Sequence, residues 1–342
     1  MSRLHDARDT PMRLAWPLAR EIFPVVLFAA LALIPALAGL LGQQYVLSLF
    51  GRVMIFAIAA VSLDLLVGFG GLISFGHAAF IGVGAYAVGI LSSHGLREAL
   101  LSLPIAILAS ALFALLTGFV CLRTKGVYFI MITLAFGQMA YFTASSLAPY
   151  GGDDGLTIAA RNTLAGFELL RNQWFFYYLV LGSLLGTYLF CRGLVDSRFG
   201  RVFRGAKENA VRMQTIGFDV YRFQLTGYVI AGGLAGLAGF LLANATEFVS
   251  PAYMSWQLSG ELVIMVLLGG LGSLHGAIVG AAAYLFLEEW LSGFTENWKV
   301  IFGPMLVLVV LFAHGGLMGA WNAVVQKVAQ LQPFANGAPA RD

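Results

Sequence analysis

Three kinds of polar group interrupt an otherwise apolar chain of 342 residues, and each suggests a different chemistry. The first is a pair of ionisable residues, Arg52 and Asp64, inside one apolar run. A charge at the centre of a bilayer costs about 2.5–3.5 kcal/mol on insertion scales, so each must face protein or water, or sit near an interface. They are twelve residues apart, about 18 Å along an ideal helix, too far to pair directly. A single carboxylate near the end of a span is a poor proton relay. The second is a pair of glycine-rich segments, Gly68–Tyr86 and Gly269–Tyr284, that each carry a Ser, a His, small residues and a Tyr in similar order, offset by one residue. The third is a basic, polar stretch from Asp196 to Phe223.

The chemistry that is missing narrows the function. The sequence has no Gly-x-x-x-x-Gly-Lys-Ser/Thr phosphate loop, so any ATP hydrolysis by that route belongs to another polypeptide. No nucleophile–base pair or metal-ligand cluster is visible, which disfavours an intramembrane enzyme. Cys121 and Cys191 each end an apolar segment, without metal or disulfide spacing. A net charge of +3 gives no sign of nucleic-acid binding. We expect no catalytic residue, no metal and no cofactor.

The elements that position these groups are membrane helices. The chain is 59% hydrophobic and 11% charged, with a mean hydropathy of +0.84. A soluble domain is closer to a quarter charged. The expected fold is all-α and polytopic, with about ten spans near 22–41, 46–67, 72–91, 100–121, 127–147, 174–192, 223–243, 261–272, 274–290 and 300–314. Residues 261–290 form one apolar tract broken by Gly269, Gly270, Gly272 and His275, so they make either a re-entrant piece or two spans. Arg3, Arg8, Arg13 and Arg20 precede the first run. That run is too long for a signal core and lacks a small-residue cleavage site, so it reads as a retained span. Residues 1–21 and 315–342 are then tails flanking a membrane domain of 22–314.

Basic residues orient this arrangement. With the N-terminus inside, cytoplasmic segments carry fifteen of the 20 Lys and Arg, outer segments carry four, and Arg52 lies within a span. Both termini are therefore expected in the cytoplasm. The 193–222 loop is cytoplasmic in this scheme. Within it, Lys207–Ile216 reads as one short helix with Ala206, Ala210, Met213 and Gly217 near one face. Gly217 follows as a left-handed residue past the helix end, and Glu208 is placed to bond backbone donors at the helix start. Such a helix suits docking into a groove on another subunit. An ordinary loop touching anionic lipid headgroups fits the same residues equally well.

Glycines at spacing four, Gly272, Gly276 and Gly280 on one segment and Gly232 and Gly236 on another, fit close helix packing. Broken helices lining a polar pathway are compatible with that packing, and weak internal repetition is common in transporters. Ser74, Gly76, His77, Gly269, Gly270 and His275 are the candidate pathway or broken-helix residues. His77 and His275 are expected first as hydrogen-bonded structural groups.

Several segments in order carry a resemblance: Gly71–Phe80, Gly126–Phe129, Thr133–Gly137, Gly151–Leu156, Ser197–Arg201 and Leu267–Gly272. Together they resemble the branched-chain amino-acid ABC transporter permease family, in its LivM-type branch. The stretch Glu208-Asn209-Ala210 followed by Gly217 is similar to the coupling loop of ABC-importer permeases, with Asn209 in place of an alanine. The resemblance implies ATPase coupling through Lys207, Glu208, Asn209, Ala210 and Gly217. It also implies a second related permease subunit, two cytoplasmic ATPase subunits and a periplasmic solute-binding protein, in a bacterial inner membrane. On that view Gly151, Gly152, Asp153 and Asp154 in the 149–173 loop are candidates for receiving the binding protein. The alternatives are an ion- or proton-coupled carrier that works alone, and a membrane scaffold.

Overall fold

The computed structural model describes residues 10–41, 44–294, 297, 300–304, 307 and 315–319. Its helices are α1 (Thr10–Leu41), α2 (Gln44–Asp64), α3 (His77–Ser93), α4 (Ala99–Cys121), α5 (Val127–Ser146), α6 (Gln173–Asp196), α7 (Arg198–Glu208), α8 (Ala210–Thr215), α9 (Val220–Thr246), α10 (Trp256–Gly269) and α11 (Leu274–Ser292). Two short strands, β1 (Leu156–Thr157) and β2 (Phe248–Val249), pair antiparallel, with Leu156 opposite Val249. From α6 to α11 each helix opens on a side-chain cap: Asn172, Ser197, Asn209, Asp219, Ser255 and Ser273 each accept a backbone N–H of the first turn. These caps satisfy donors that the helix itself leaves open.

Among the described residues five helices are long and apolar enough to cross a membrane: Tyr45–Phe69, Ala99–Cys121, Val127–Ser146, Gln173–Asp196 and Val220–Thr246. A sixth candidate is the pair α10 and α11, which turns through 117° at its break. Phe23–Gly39 and His77–Ser93 are shorter apolar helices. The expectation of about ten spans counted those two, took the bent pair as two and added 300–314, most of which lies outside the described residues, as does the tail from 320. α1 begins at Thr10, within the segment assigned to the basic tail.

The centre of the bundle is α2 with α9. In their most apolar stretches 72% and 67% of residues are buried, against 28% in α4 and 22% in α5. α4 and α5 instead expose Leu108, Leu112, Leu116, Met131, Met139 and Phe142. Water would penalise such faces, whereas hydrocarbon or another apolar helix accepts them. Small residues set the spacing inside. A Cβ on Gly84 of α3 would lie 2.5 Å from the Gly236 carbonyl oxygen of α9, and one on Gly236 would lie 2.6 Å from Ser110 Cβ of α4. Gly280 packs α11 directly on the α10 backbone at Met265 and Gly269.

Candidate translocation and coupling site

α6 runs from one end of the bundle to the other, 24 residues or about 36 Å. At its N-terminus sits the 147–172 segment, and at its C-terminus the α7–α8 loop.

The loop is a pair of helices rather than one. α7 ends at Glu208, and Asn209 is extended (φ −156°, ψ 96°). The Asn209 side chain accepts the Arg212 N–H at 2.9 Å and so caps α8. The single helix expected over Lys207–Ile216 is therefore broken at the residue whose short amide competes best for the backbone. Glu208 closes α7 instead of heading the next helix. The expected small face is also different. Ala206 is buried, and Met213 folds back so that a Cβ on Gly205 would lie 2.7 Å from its sulfur. The outward apolar residues are Val211 and Ile216, 66% and 63% exposed. Gly217 does end α8 as expected, at φ +98°. Phe218 N–H donates to Met213 O at 3.1 Å and Gly217 N–H to Gln214 O at 2.9 Å, closing the helix end.

The two glycine-rich breaks meet at this same end. α2 continues through a π-helical turn, Leu65–Phe69, and the backbone then runs irregularly to Gly76, the residue before α3. The expected span start near 72 thus falls in irregular chain. Gly68 lies directly against Gly272, and a Cβ there would lie 2.7 Å from Gly272 Cα. Asp64, fully buried, accepts the Gly272 N–H at 2.9 Å through Oδ1. Lys207 of α7 donates its ammonium to the Gly68 carbonyl at 2.6 Å. Gly270 abuts Gly315 and Gly316, so part of the segment assigned to the C-terminal tail packs on the break.

Side chains take the backbone donors that the first break frees. Thr133 Oγ1 accepts Phe75 N–H, Ser74 Oγ accepts Gly76 N–H and Ser259 Oγ accepts Ala78 N–H. His77 Nε2 shares a 2.8 Å hydrogen bond with Ser62 Oγ, and His275 Nε2 lies 3.2 Å from Ser273 Oγ. Both histidines therefore hold hydrogen bonds at the first turn of a helix. Among the described residues no group of three His, Cys, Asp or Glu is placed to hold a metal. Ser259 and Ser62, and the hydrogen-bonding role of Thr133, escaped sequence reasoning, since a lone hydroxyl in an apolar run carries no spacing signal. Arg52 does not pair with Asp64; it lies 3.9 Å from Glu288 of α11.

The opposite end carries an ordered cap. Gly152 N–H bonds Leu147 O, Asp154 N–H bonds Gly151 O, and Asp153 and Asp154 are exposed. Beyond them β1 pairs with β2, Asn162 N–H bonds Asn244 Oδ1 at 2.9 Å, and Thr163 exchanges backbone bonds with Arg97 and Ala99. Arg161 pairs with Glu247 at 3.2 Å and lies over the Phe176 ring. The loop is thus a built surface tied to α4, α6 and α9. The acids lie apart from the breaks, so the candidate residues form two sites and not one.

A bundle of apolar helices with lipid-compatible outer faces, broken helices inside and polar structure at both ends defines a polytopic helical membrane protein. The model of the family described as "Branched-chain amino acid transport system / permease component" matches residues 45–311. The chain belongs to that family of transport permeases. It is similar to the high-affinity branched-chain amino acid transport system permease protein LivM of Salmonella typhimurium, 29% identical over 288 residues, covering 78% of this chain and 68% of the relative. It is also similar to a probable LivM of Methanocaldococcus jannaschii, 24% identical over 313 residues (77% and 90% covered). A shorter stretch resembles Escherichia coli LivH, 29% identical over 125 residues (36% and 40% covered). No solved structure matches it. The chain is therefore a permease component of an ABC transport system, and permeases of this family are not themselves ATPases.

Proposed function

We propose that this permease forms one half of the pathway of a bacterial inner-membrane importer for branched-chain or related amino acids. The observation that carries the reading is the family match across 45–311, a range that holds both helix breaks, the α7–α8 loop and the 147–172 cap. Similarity to both LivM and LivH proteins supports a second, related permease as partner. The complex holds two ATPase subunits, one of which docks at α7–α8, and a periplasmic solute-binding protein docks at the cap. The finer arrangement is ten membrane segments with both termini in the cytoplasm.

Reconstitution tests this. The chain with its partner permease, ATPases and binding protein in vesicles should take up a branched-chain amino acid in an ATP-dependent way. Uptake by this chain alone would overturn the reading in favour of a secondary carrier. In the same vesicles, replacing Asp153 and Asp154 together by Asn should weaken binding-protein docking by about five- to tenfold at low salt and less at high salt, because exposed charges are screened. Equal affinity at both ionic strengths would remove the acids from the docking surface.

Orientation has its own test. Arg204 bonds Val195 O at 2.7 Å and is unsuited to replacement, whereas Gln214 is exposed. A cysteine at Gln214, in a chain lacking the buried Cys121 and Cys191, should escape an impermeant thiol reagent in intact cells and react after lysis. Ready labelling in intact cells would reverse the topology.

A further inference from the structure

We propose that Asp64 and Lys207 form a clamp that makes the α7–α8 loop and both helix breaks move as one body, and that they are positioning residues for coupling ATP hydrolysis to transport. The inference rests on the reading of this chain as an ABC permease. Neither residue's partner is on its own helix. Lys207 reaches from α7 to the Gly68 carbonyl, and its side-chain stem passes Gly71, where a Cβ would lie 2.9 Å from Lys207 Cγ. One turn earlier Phe203, almost fully buried, fills the space beside Gly70, where an added Cβ would run into its ring. α7 therefore cannot shift without displacing residues 68–71. Gly68 in turn abuts Gly272, and Asp64 holds the Gly272 N–H. Displacement of the first break is thus passed to the α10–α11 break, and through Gly270 to Gly315 and Gly316.

Two further observations separate a moving clamp from a passive strut. Asp64 Oδ2 is buried and has no hydrogen-bond partner among the described residues. A buried carboxylate satisfied on one oxygen is costly, and a permanent strut would be expected to satisfy both. Between Asp64 and Gly68 the helix widens into the π-helical turn, a local geometry that is frequent where helices change shape. Gly68, whose carbonyl Lys207 holds, lies directly against the Asp64 carboxylate, so the loop position and the Asp64 environment are linked. Packed contacts of this kind transmit motion when they have two discrete arrangements.

The test uses the full complex in vesicles and reads uptake per ATP hydrolysed. Lys207→Met keeps the stem but removes the donor to Gly68. Asp64→Ala removes the acceptor for Gly272. Each should lower uptake per ATP by about tenfold, the scale of one charge-assisted hydrogen bond. The double variant should be little worse than either single, because one clamp is lost once. Lys207→Arg, which retains a donor, and Asp64→Asn, which retains an acceptor, should each restore most of the coupling. Asp64 is fully buried, so a shared phenotype cannot come from lost contact with an ATPase. Deuterium uptake by the 266–273 segment of the purified protein should rise in both disruptive variants. If Asp64→Ala fails to fold, Lys207→Met decides the matter alone. Wild-type coupling in Lys207→Met, with unchanged exchange at 266–273, would overturn the clamp and leave the permease reading intact. A wild-type chain that binds no ATPase subunit would overturn both.

Discussion

Gly84→Val is expected to remove most of the folded protein from the membrane. At this position α3 approaches α9 backbone to backbone. An added Cβ would lie 2.5 Å from Gly236 O, 2.8 Å from its Cα and 3.0 Å from its carbonyl carbon. No rotamer change relieves a clash with backbone, so the helices must part. Gly236 is itself pressed against α4 at Ser110 Cβ and Ala106 O, so α3, α4 and α9 would all have to separate. Overpacking a well-filled core costs about 1–3 kcal/mol, and a branched side chain against backbone belongs at or above the top of that range. Total stabilities are only about 5–15 kcal/mol. Membrane yield and monodispersity in detergent should fall by about tenfold or more. Gly186→Val is the control. Gly186 lies in the exposed stripe of α6, a Cβ there would meet nothing within 4 Å, and its yield should stay near wild type. Equal yields and equal thermal midpoints for Gly84→Val and wild type would show that this helix contact does not set the spacing.

That contrast between Gly84 and Gly186 marks where sequence reasoning stops. Long apolar runs were legible because a run of about 20 such residues has few uses outside a bilayer. The expected 46–67, 100–121, 127–147, 174–192 and 223–243 each fall on a helix long enough to span. The points where a helix gives way were less legible. Residues 72–76 are as apolar as the helix that follows, and what keeps them out of it is remote: Thr133 Oγ1 accepts the Phe75 N–H from 58 residues away. The split of the α7–α8 loop had a local signal, an asparagine three residues before a free N–H. Glu208, its neighbour, carries the charge that draws attention, yet it closes α7 and caps nothing in α8. Glycine spacing predicted close packing at Gly232, Gly236, Gly272, Gly276 and Gly280. The structure puts Gly232, Gly236, Gly276 and Gly280 against a neighbouring backbone or small side chain. Gly272, at φ +75°, meets Gly68 from the break between α10 and α11 and not from a shared helix face. The same spacing could not tell which helix would be the neighbour. The meeting of Lys207 with Gly68 spans 139 residues, and no pattern within either segment announces it.

Gly217→Val should leave the protein in the membrane and uncouple it. Space is not the obstacle, since a Cβ on Gly217 would meet nothing within 4 Å. The obstacle is backbone: at φ +98° a β-branched residue is strongly disfavoured, while glycine adopts the conformation freely. The hydrogen bonds from Phe218 and Gly217 back to Met213 and Gln214 depend on that conformation. Valine would therefore unravel the last turn of α8 and swing Ile216 and Phe218, the exposed apolar residues at its end, away from a docked partner. The bundle itself is spared, because no residue of α8 is buried and Val211, Arg212, Gln214 and Thr215 are exposed. A strained left-handed residue costs on the order of 1–2 kcal/mol, which predicts roughly a five- to thirtyfold loss of the docked conformation and a comparable fall in stimulated ATPase activity. Asn209→Ala removes the cap on Arg212 N–H at the other end of the same helix and should lose about fivefold, in line with a typical cap of about 1 kcal/mol. Glu208→Ala should do less than either, because Glu208 closes α7 and caps nothing in α8. Arg8→Ala, in the basic N-terminal segment, should do little. The measurement is uptake together with stimulation of ATPase activity by loaded binding protein, in vesicles holding equal amounts of complex. Full uptake and full stimulation in Gly217→Val would mean that α8 carries no coupling contact, and that the basic residues of the 193–222 loop serve only to hold it at the membrane surface.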